Sequence, residues 1–310
     1  MTPVAAIDCG TNSIRLLIAE PEGGGLRDVT REMRIVRLGE GVDRTGRFAP
    51  AALERTRAAV REYAATIERS GARRVRMVAT SATRDAANRA DFVAMVHAEL
   101  GVEPEVITGL EEAALSFTGA ASVLPQSRGP LLVADIGGGS TELVRGDLAD
   151  AAAADRTLQS HSMDVGCVRM TERYLHDDPP TPAQAAAVVA DVQSALDAAA
   201  VDVALEPDVP LVGVAGTVTT IAALVLGLPR YDSARIHGAR ISAEQVSDVT
   251  QSLLAMTRDQ RAALPVMHPG RADVIGGGAL VLRTVVERTG VTAVTASEHD
   301  ILDGIALGLT

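Results

Sequence analysis

The chain contains no lysine: all 29 of its basic residues are arginine. That absence excludes a Walker A phosphate loop, whose lysine reaches the phosphates. It equally excludes Schiff-base chemistry and attachment of pyridoxal phosphate through a lysine amine. Any grip on phosphate must come from backbone N–H groups, hydroxyls, arginine or a metal. Aromatic residues are also scarce, at 2% with no tryptophan. Stacking platforms of the kind single-strand nucleic-acid binders use are therefore nearly missing. The two cysteines, Cys9 and Cys167, give neither metal-ligand spacing nor a disulfide framework. No run of about 18 apolar residues occurs, so no membrane helix is expected. The start, MTPVAAIDCG, lacks a basic stretch and a long apolar stretch and reads as a first strand, so a reduced cytoplasmic setting is expected. Net charge is −11, which disfavours a general nucleic-acid binder. An anionic small substrate stays compatible with it in a locally positive cleft.

What is present is an aliphatic globular chain of 310 residues with 47% apolar content, long enough for two domains with a core each. Strands are expected at Val4–Ile7, Ile14–Ala19, Met33–Leu38, Val75–Thr80 and Val102–Ile107. Helices are expected from Pro50 to about Gly71, from about Asp85 to Leu100 and over Glu111–Ala121. After the linker candidate Pro125–Pro130, a second set follows. It has strands at Leu131–Ala134, Thr141–Val144 and Leu211–Val214. Its helices start at Thr181, Thr217, Ala243, Gly278 and His299. Alternating strands and helices point to an α/β fold. The expected domains are 1–124 and 125–310, with the last helix, about 299–310, packing back on the first.

The two sets echo one another. Ile7-Asp8-Cys9-Gly10-Thr11-Asn12-Ser13 resembles Ala134-Asp135-Ile136-Gly137-Gly138-Gly139-Ser140. Each lies between two apolar strands, which reads as a duplication. In the second loop, Gly137, Gly138 and Gly139 let backbone approach a ligand and can form an anion-binding nest. Ser140 and Thr141 add hydroxyls. Asp135 and Glu142 are hard oxygen ligands suited to Mg²⁺. The first loop, Asp8, Gly10, Thr11, Asn12 and Ser13, alone is also the turn of an ordinary hairpin; paired with the second it becomes the other jaw of a phosphate clamp.

Other candidates carry two readings each. Thr108-Gly109-Leu110-Glu111 has capping-box spacing, so Glu111 can satisfy a helix N-terminus and leave Glu112 as general base; the alternative is two solvated glutamates. Arg84 after a strand can take phosphate bidentately or form a surface ion pair. Gly216 and Thr217 open a helix and offer either an anion site or a simple cap. Gly276–Gly278 has the same two readings. His268 reads first as structural, and Cys9 as a small buried residue.

Together these motifs resemble the exopolyphosphatase / guanosine pentaphosphate phosphohydrolase (Ppx/GppA) family of the actin-like ATPase superfamily. The stretches that carry the likeness are IDCGTNSIRLLIAE, VATSATRDA, ITGLEEAALSFTGA, VADIGGGSTELVRG, VGCVRMTERYLHDDPPT, VGVAGTVTTIAAL, HPGRADVIGGGAL and SEHDILDGIAL. They run in order across essentially the whole chain. The resemblance implies two actin-like (ribonuclease H-like) domains with a substrate cleft between them. It implies phosphate binding by Asp8–Ser13 and Asp135–Thr141, and a grip on substrate by Arg84. Glu112 would handle water with Glu111 beside it, and Glu142 would act in metal or water handling. Mg²⁺ or Mn²⁺ would be held by Asp135, Glu142 and Asp8, with Gly216 and Thr217 lining the substrate channel. Inorganic polyphosphate is the implied substrate, with (p)ppGpp chemistry or a non-catalytic phosphate or alarmone sensor as alternatives. A homodimer is implied, and neither nucleic acid nor membrane as partner. Longer members carry further helical domains after this core, so the resemblance does not imply high processivity here.

Overall fold

A computed structural model describes residues 2–23, 25–122, 129–147 and 158–310. The chain divides into two compact units, Met1–Ser122 with Ile301–Thr310, and Val123–Asp300. The expected boundary at 124/125 lies outside the described residues, as do positions 125–128 of the expected linker.

Unit 1 is built on five strands: β1 (Val4–Cys9), β2 (Ser13–Glu22), β3 (Gly25–Ile35), β4 (Arg74–Ala79) and β5 (Glu105–Val106). Their order is β3-β2-β1-β4-β5. The β1–β2 and β2–β3 pairs are antiparallel, whereas β1–β4 and β4–β5 are parallel. β1 is buried along its length, so it reads as a continuous apolar run, as a central strand covered on both faces must. Side chains of a strand alternate between faces. Ala5, Ile7 and Cys9 join the core with Tyr63, Phe92 and Val96, which come from helices Pro50–Ser70 and Arg89–Leu100. Val4 and Ala6 join Ile301, Leu302 and Ile305 of helix Ile301–Leu307 on the other face. That helix crosses helix Gly109–Ala121 so closely that a Cβ on Gly304 would lie 2.1 Å from the Leu115 carbonyl oxygen.

Unit 2 repeats the plan. Its strands are β6 (Pro130–Ile136), β7 (Thr141–Asp147), β8 (Gln159–Met163), β9 (Leu211–Val214), β10 (Arg240–Ser242) and β11 (Ala293–Ala296). Their order is β10-β11-β9-β6-β7-β8. Read from β8, this is the third-second-first-fourth-fifth order of unit 1 with β10 added at the far edge. The pairing senses match as well: β6–β7 and β7–β8 are antiparallel, β6–β9 and β9–β11 parallel. The α/β duplication expected from the two loops is thus present in the sheets.

Several expected bounds shift for local reasons. The strand expected at Met33–Leu38 ends at Ile35, because the N–H groups of Val36 and Arg37 turn to the Asn12 carbonyl. The helix expected over Asp85–Leu100 is broken into Ser81–Asp85 and Arg89–Leu100. There the Asn88 side chain exchanges hydrogen bonds with the backbone of Phe48 (2.8 and 3.3 Å) and holds the chain out of the helix. The strand expected at Val102–Ile107 shrinks to Glu105–Val106. Among the described residues no helix is long and apolar enough to cross a membrane.

Candidate active site

In unit 2, β6 and β7 are joined by Gly137–Ser140. The Gly137 N–H donates to the Ser140 carbonyl at 3.0 Å and closes the turn. The loop carbonyls are then taken up by helix Cys167–Tyr174. The Cys167 N–H donates to Gly137 O at 3.0 Å, and those of Val168 and Arg169 donate to Gly138 O at 2.9 and 3.1 Å. The Arg169 Nε donates to Gly139 O at 2.7 Å. In a trans peptide the C=O and the next N–H point in opposite directions. Holding three successive carbonyls toward that helix therefore directs the N–H groups of Gly138, Gly139 and Ser140 away from it, as an anion nest requires. Gly166 makes the approach possible, since a Cβ there would sit 2.5 Å from Gly138 O.

Asp135 and Glu142 flank this loop as directly opposed residues of β6 and β7. Both are buried. The Ser162 hydroxyl of β8 donates to Glu142 Oε1 at 2.7 Å. Thr141 has its hydroxyl committed to the Val165 carbonyl at 2.6 Å, so this predicted phosphate ligand anchors the chain after β8.

Unit 1 carries the matching turn. The Gly10 N–H donates to the Ser13 carbonyl at 2.9 Å. Here the segment after β3 holds the carbonyls: Gly39 N–H to Thr11 O at 2.8 Å, and Val36 and Arg37 N–H to Asn12 O at 3.0 and 2.9 Å. Arg37 adopts φ 48° to do so, a left-handed conformation that a non-glycine side chain rarely takes. The Thr11 hydroxyl is buried without a hydrogen-bond partner among the described residues, which suits a group that awaits a ligand. Asp8 differs from Asp135 in its neighbour. It accepts from Arg15 Nη2 at 2.6 Å and Nε at 3.0 Å.

The neighbouring glutamates separate cleanly. Glu111 is exposed and completes the capping box, accepting from the Thr108 N–H at 2.9 Å while its own N–H donates to the Thr108 hydroxyl. Those hydrogen bonds from Thr108 hold its carboxyl below the usual range. Glu112 is buried and accepts from Arg84 Nη1 at 2.6 Å. Burial pushes its carboxyl above the usual glutamate range, with the nearby Asp8 charge adding to the rise, while Arg84 and a Thr80 hydrogen bond act against it. Arg84 also donates to the Ile107 carbonyl at 3.2 Å. Sequence positions 84 and 112 are thus brought together, and Asp8 lies near them. A buried carboxylate of raised basicity beside a guanidinium is the combination that general-base chemistry on an anionic substrate uses.

Other candidates have structural work to do. Gly216 is in the first turn of helix Ala215–Val225, and its carbonyl accepts from Arg271 Nη1 at 3.3 Å. A Cβ on Gly216 would lie 2.3 Å from the Arg271 guanidinium carbon. Thr217 is buried. Gly277 and Gly278 lie inside helix Ile275–Thr289, where added Cβ atoms would meet Thr171 Oγ1 at 2.6 Å and Thr217 Oγ1 at 2.5 Å, so the glycine run here serves helix packing. His268 caps a short turn by accepting from the Gly270 N–H at 3.1 Å. Burial raises Cys167 to about 11, leaving it an inert thiol. The sequence reading missed Arg15, Ser162, Gly166 and Arg169. Only Arg15 had a visible signal, since aligning the two loops sets it against Glu142.

Comparison with known proteins follows the same lines. The model of the Ppx/GppA phosphatase family matches residues 17–309. The chain is 52% identical over 322 residues to Exopolyphosphatase 2 of Mycobacterium tuberculosis, covering 100% of this chain and 99% of that protein. A solved crystal structure of an exopolyphosphatase-like protein superposes with a TM-score of 0.94 at 46% identity, covering 99% of this chain and 97% of the other. The guanosine-5′-triphosphate,3′-diphosphate pyrophosphatase of Aeromonas salmonicida is 29% identical over 305 residues, and the match spans 98% of this chain and 59% of that protein. The duplicated sheets, the two glycine turns and these similarities agree that the chain belongs to the Ppx/GppA phosphatase family.

Proposed function

We propose that the protein is an exopolyphosphatase that hydrolyses the terminal phosphate of linear inorganic polyphosphate. The observation that carries this reading is the unit 2 loop, whose carbonyls are held by helix Cys167–Tyr174 so that the N–H groups of Gly138, Gly139 and Ser140 point away from it, beside the buried acids Asp135 and Glu142. Such N–H groups match phosphate oxygens and stabilise charge that builds on the transferring group. Full-length similarity to a protein named exopolyphosphatase supports the same substrate class.

Among the described residues no group of three or more His, Cys, Asp or Glu is placed to hold a metal. The opposed pair Asp135 and Glu142 fits a hard cation such as Mg²⁺ or Mn²⁺ that completes its shell with water and phosphate oxygens. When bound, the cation offsets phosphate charge. Asp8, paired with Arg15, is the weaker ligand candidate of the three acids expected.

In this reading Glu112 takes a proton from the attacking water, its basicity raised by burial. Arg84 donates to a substrate phosphate oxygen in exchange for its bond to Glu112. Water oxygen bonds to the terminal phosphorus, the bridging P–O bond breaks, and the shortened chain leaves with its electron pair. Within unit 1, the Thr11 hydroxyl and its turn offer phosphate a contact of their own. The same proposal takes the enzyme as a cytoplasmic homodimer, which light scattering and cell fractionation test.

The Aeromonas relative favours one second reading, removal of the 5′ phosphate of pppGpp. Phosphate release with Mg²⁺ from long polyphosphate, short polyphosphate, pppGpp and ATP separates the two. Release mainly from polyphosphate is expected. Release mainly from pppGpp would replace the proposal, and tight binding without release would make the protein a sensor.

A further inference from the structure

The internal repeat gives the molecule its own comparison. In unit 2, Asp135 of β6 stands opposite Glu142 of β7, and Glu142 stands opposite Ser162 of β8. Directly opposed residues of antiparallel strands project from the same face. The three therefore form one row across the sheet, and the Ser162 hydroxyl donates to Glu142 Oε1 at 2.7 Å. In unit 1 the same row is Asp8 of β1, Arg15 of β2 and Met33 of β3. The same scaffold thus carries acid, acid and hydroxyl in one unit, and acid, guanidinium and thioether in the other.

The difference is informative chemically. Like charges directly opposed across a sheet repel, and a cation relieves that. In unit 1 the relief is built in, because Arg15 reaches Asp8 at 2.6 Å. In unit 2 the position of Arg15 is held by Glu142. A hydroxyl appears at the third position only where the second is a carboxylate. A hydrogen bond to one carboxylate oxygen fixes the plane of the group and with it the direction of the other oxygen. Outer groups of this kind set metal affinity by orienting the ligands.

We propose that Ser162 is a positioning residue for a divalent-cation site confined to unit 2: its hydroxyl fixes the Glu142 carboxylate, and the guanidinium of Arg15 takes the cation's place in unit 1. The inference rests on the reading of Asp135 and Glu142 as cation ligands. It adds a residue that no motif identified, and it removes Asp8 from the cation site.

Mn²⁺ titration of the full chain, with free Mn²⁺ counted by electron paramagnetic resonance, tests it. Four variants are compared with the parent protein: Ser162→Ala, Ser162→Thr, Glu142→Gln and Asp8→Asn. Ser162→Ala is expected to weaken Mn²⁺ binding by about 10–100-fold, at an unchanged melting temperature. Ser162→Thr keeps a hydroxyl and is expected to restore most of the affinity, which a merely structural serine would not do. Asp8→Asn is expected to bind Mn²⁺ as the parent does. Parent-like binding by Ser162→Ala, with Glu142→Gln impaired, would overturn the positioning role. Loss of binding in Asp8→Asn equal to that in Glu142→Gln would overturn the confinement to unit 2. Parent-like binding by Glu142→Gln, or no uptake by the parent, would refute the cation reading itself and this inference with it.

Discussion

Replacing Glu112 by glutamine tests the catalytic reading with little change of shape. The amide keeps an oxygen where Oε2 accepts from Arg84 at 2.6 Å. It loses charge assistance, a difference of about 1 kcal/mol between a charged and a neutral hydrogen bond. Against that, a neutral amide costs less to bury than a carboxylate at a position only 8% exposed. The two effects oppose, so the melting temperature should move by no more than about 4 °C. The chemistry should respond very differently. Loss of a general base removes about 10²–10⁴ in rate, which is about 3–5 kcal/mol of barrier. The neighbour supplies the control. Glu111→Ala removes the acceptor of the Thr108 N–H and weakens one helix cap, about 0.5–1 kcal/mol, while turnover stays near that of the parent. Phosphate release from polyphosphate and thermal melting are measured for both. Parent-like turnover in Glu112→Gln, or an equal loss in Glu111→Ala, would refute the assignment.

Two further outcomes follow from the geometry. The Glu112 carboxyl is raised by burial and pulled back in part by Arg84, so Arg84→Gln removes a lowering influence and raises it further. A base works only when ionised, so the acid limb of the kcat/KM profile should move to higher pH in this variant; an unmoved limb, or one displaced to lower pH, would contradict the reasoning. Gly166→Ala places a Cβ 2.5 Å from the Gly138 oxygen and 2.6 Å from its carbon, so the Gly137–Ser140 loop must shift. A stability loss of about 1–3 kcal/mol, read by denaturant melting, should accompany a larger loss of kcat/KM, and full activity would show that the loop does not depend on this approach.

Local pattern made much of the fold readable. Pro50 at the first turn and Gly71 in the left-handed cap bound a helix as expected, and β9 falls on the expected Leu211–Val214. The glycine turns stood out because their composition is unusual. β8 was missed because its sequence, QSHSM, carries no apolar alternation. Ser162 was lost with it. Helix Cys167–Tyr174, with Gly166 and Arg169, is short, and its meaning lies in carbonyls about 30 positions earlier. The Arg84–Glu112 pair joins residues 28 apart through packing of β4, β5 and the helix after them, a coincidence that no local window displays. The run Gly276–Gly278 misled in the opposite sense. A loop that receives a ligand and a helix that receives a neighbour both need the absence of a Cβ, and composition alone does not tell them apart.

The return of residues 301–310 to unit 1 has a consequence for biosynthesis. Helix Ile301–Leu307 fills one face of the first sheet and seats Gly304 against Leu115. During translation the first 122 residues emerge early, with one side of β1 still uncovered. The whole of 123–300 is made before the piece that covers it arrives. The second unit is continuous in sequence, whereas the first is completed only once residues 301–310 have been made. The helix that carries Glu112 gains its final support only then. A polypeptide stalled before residue 301 would thus have the Gly137–Ser140 turn of unit 2 already made while one face of the first sheet stayed uncovered, so the two units are completed at different times during synthesis.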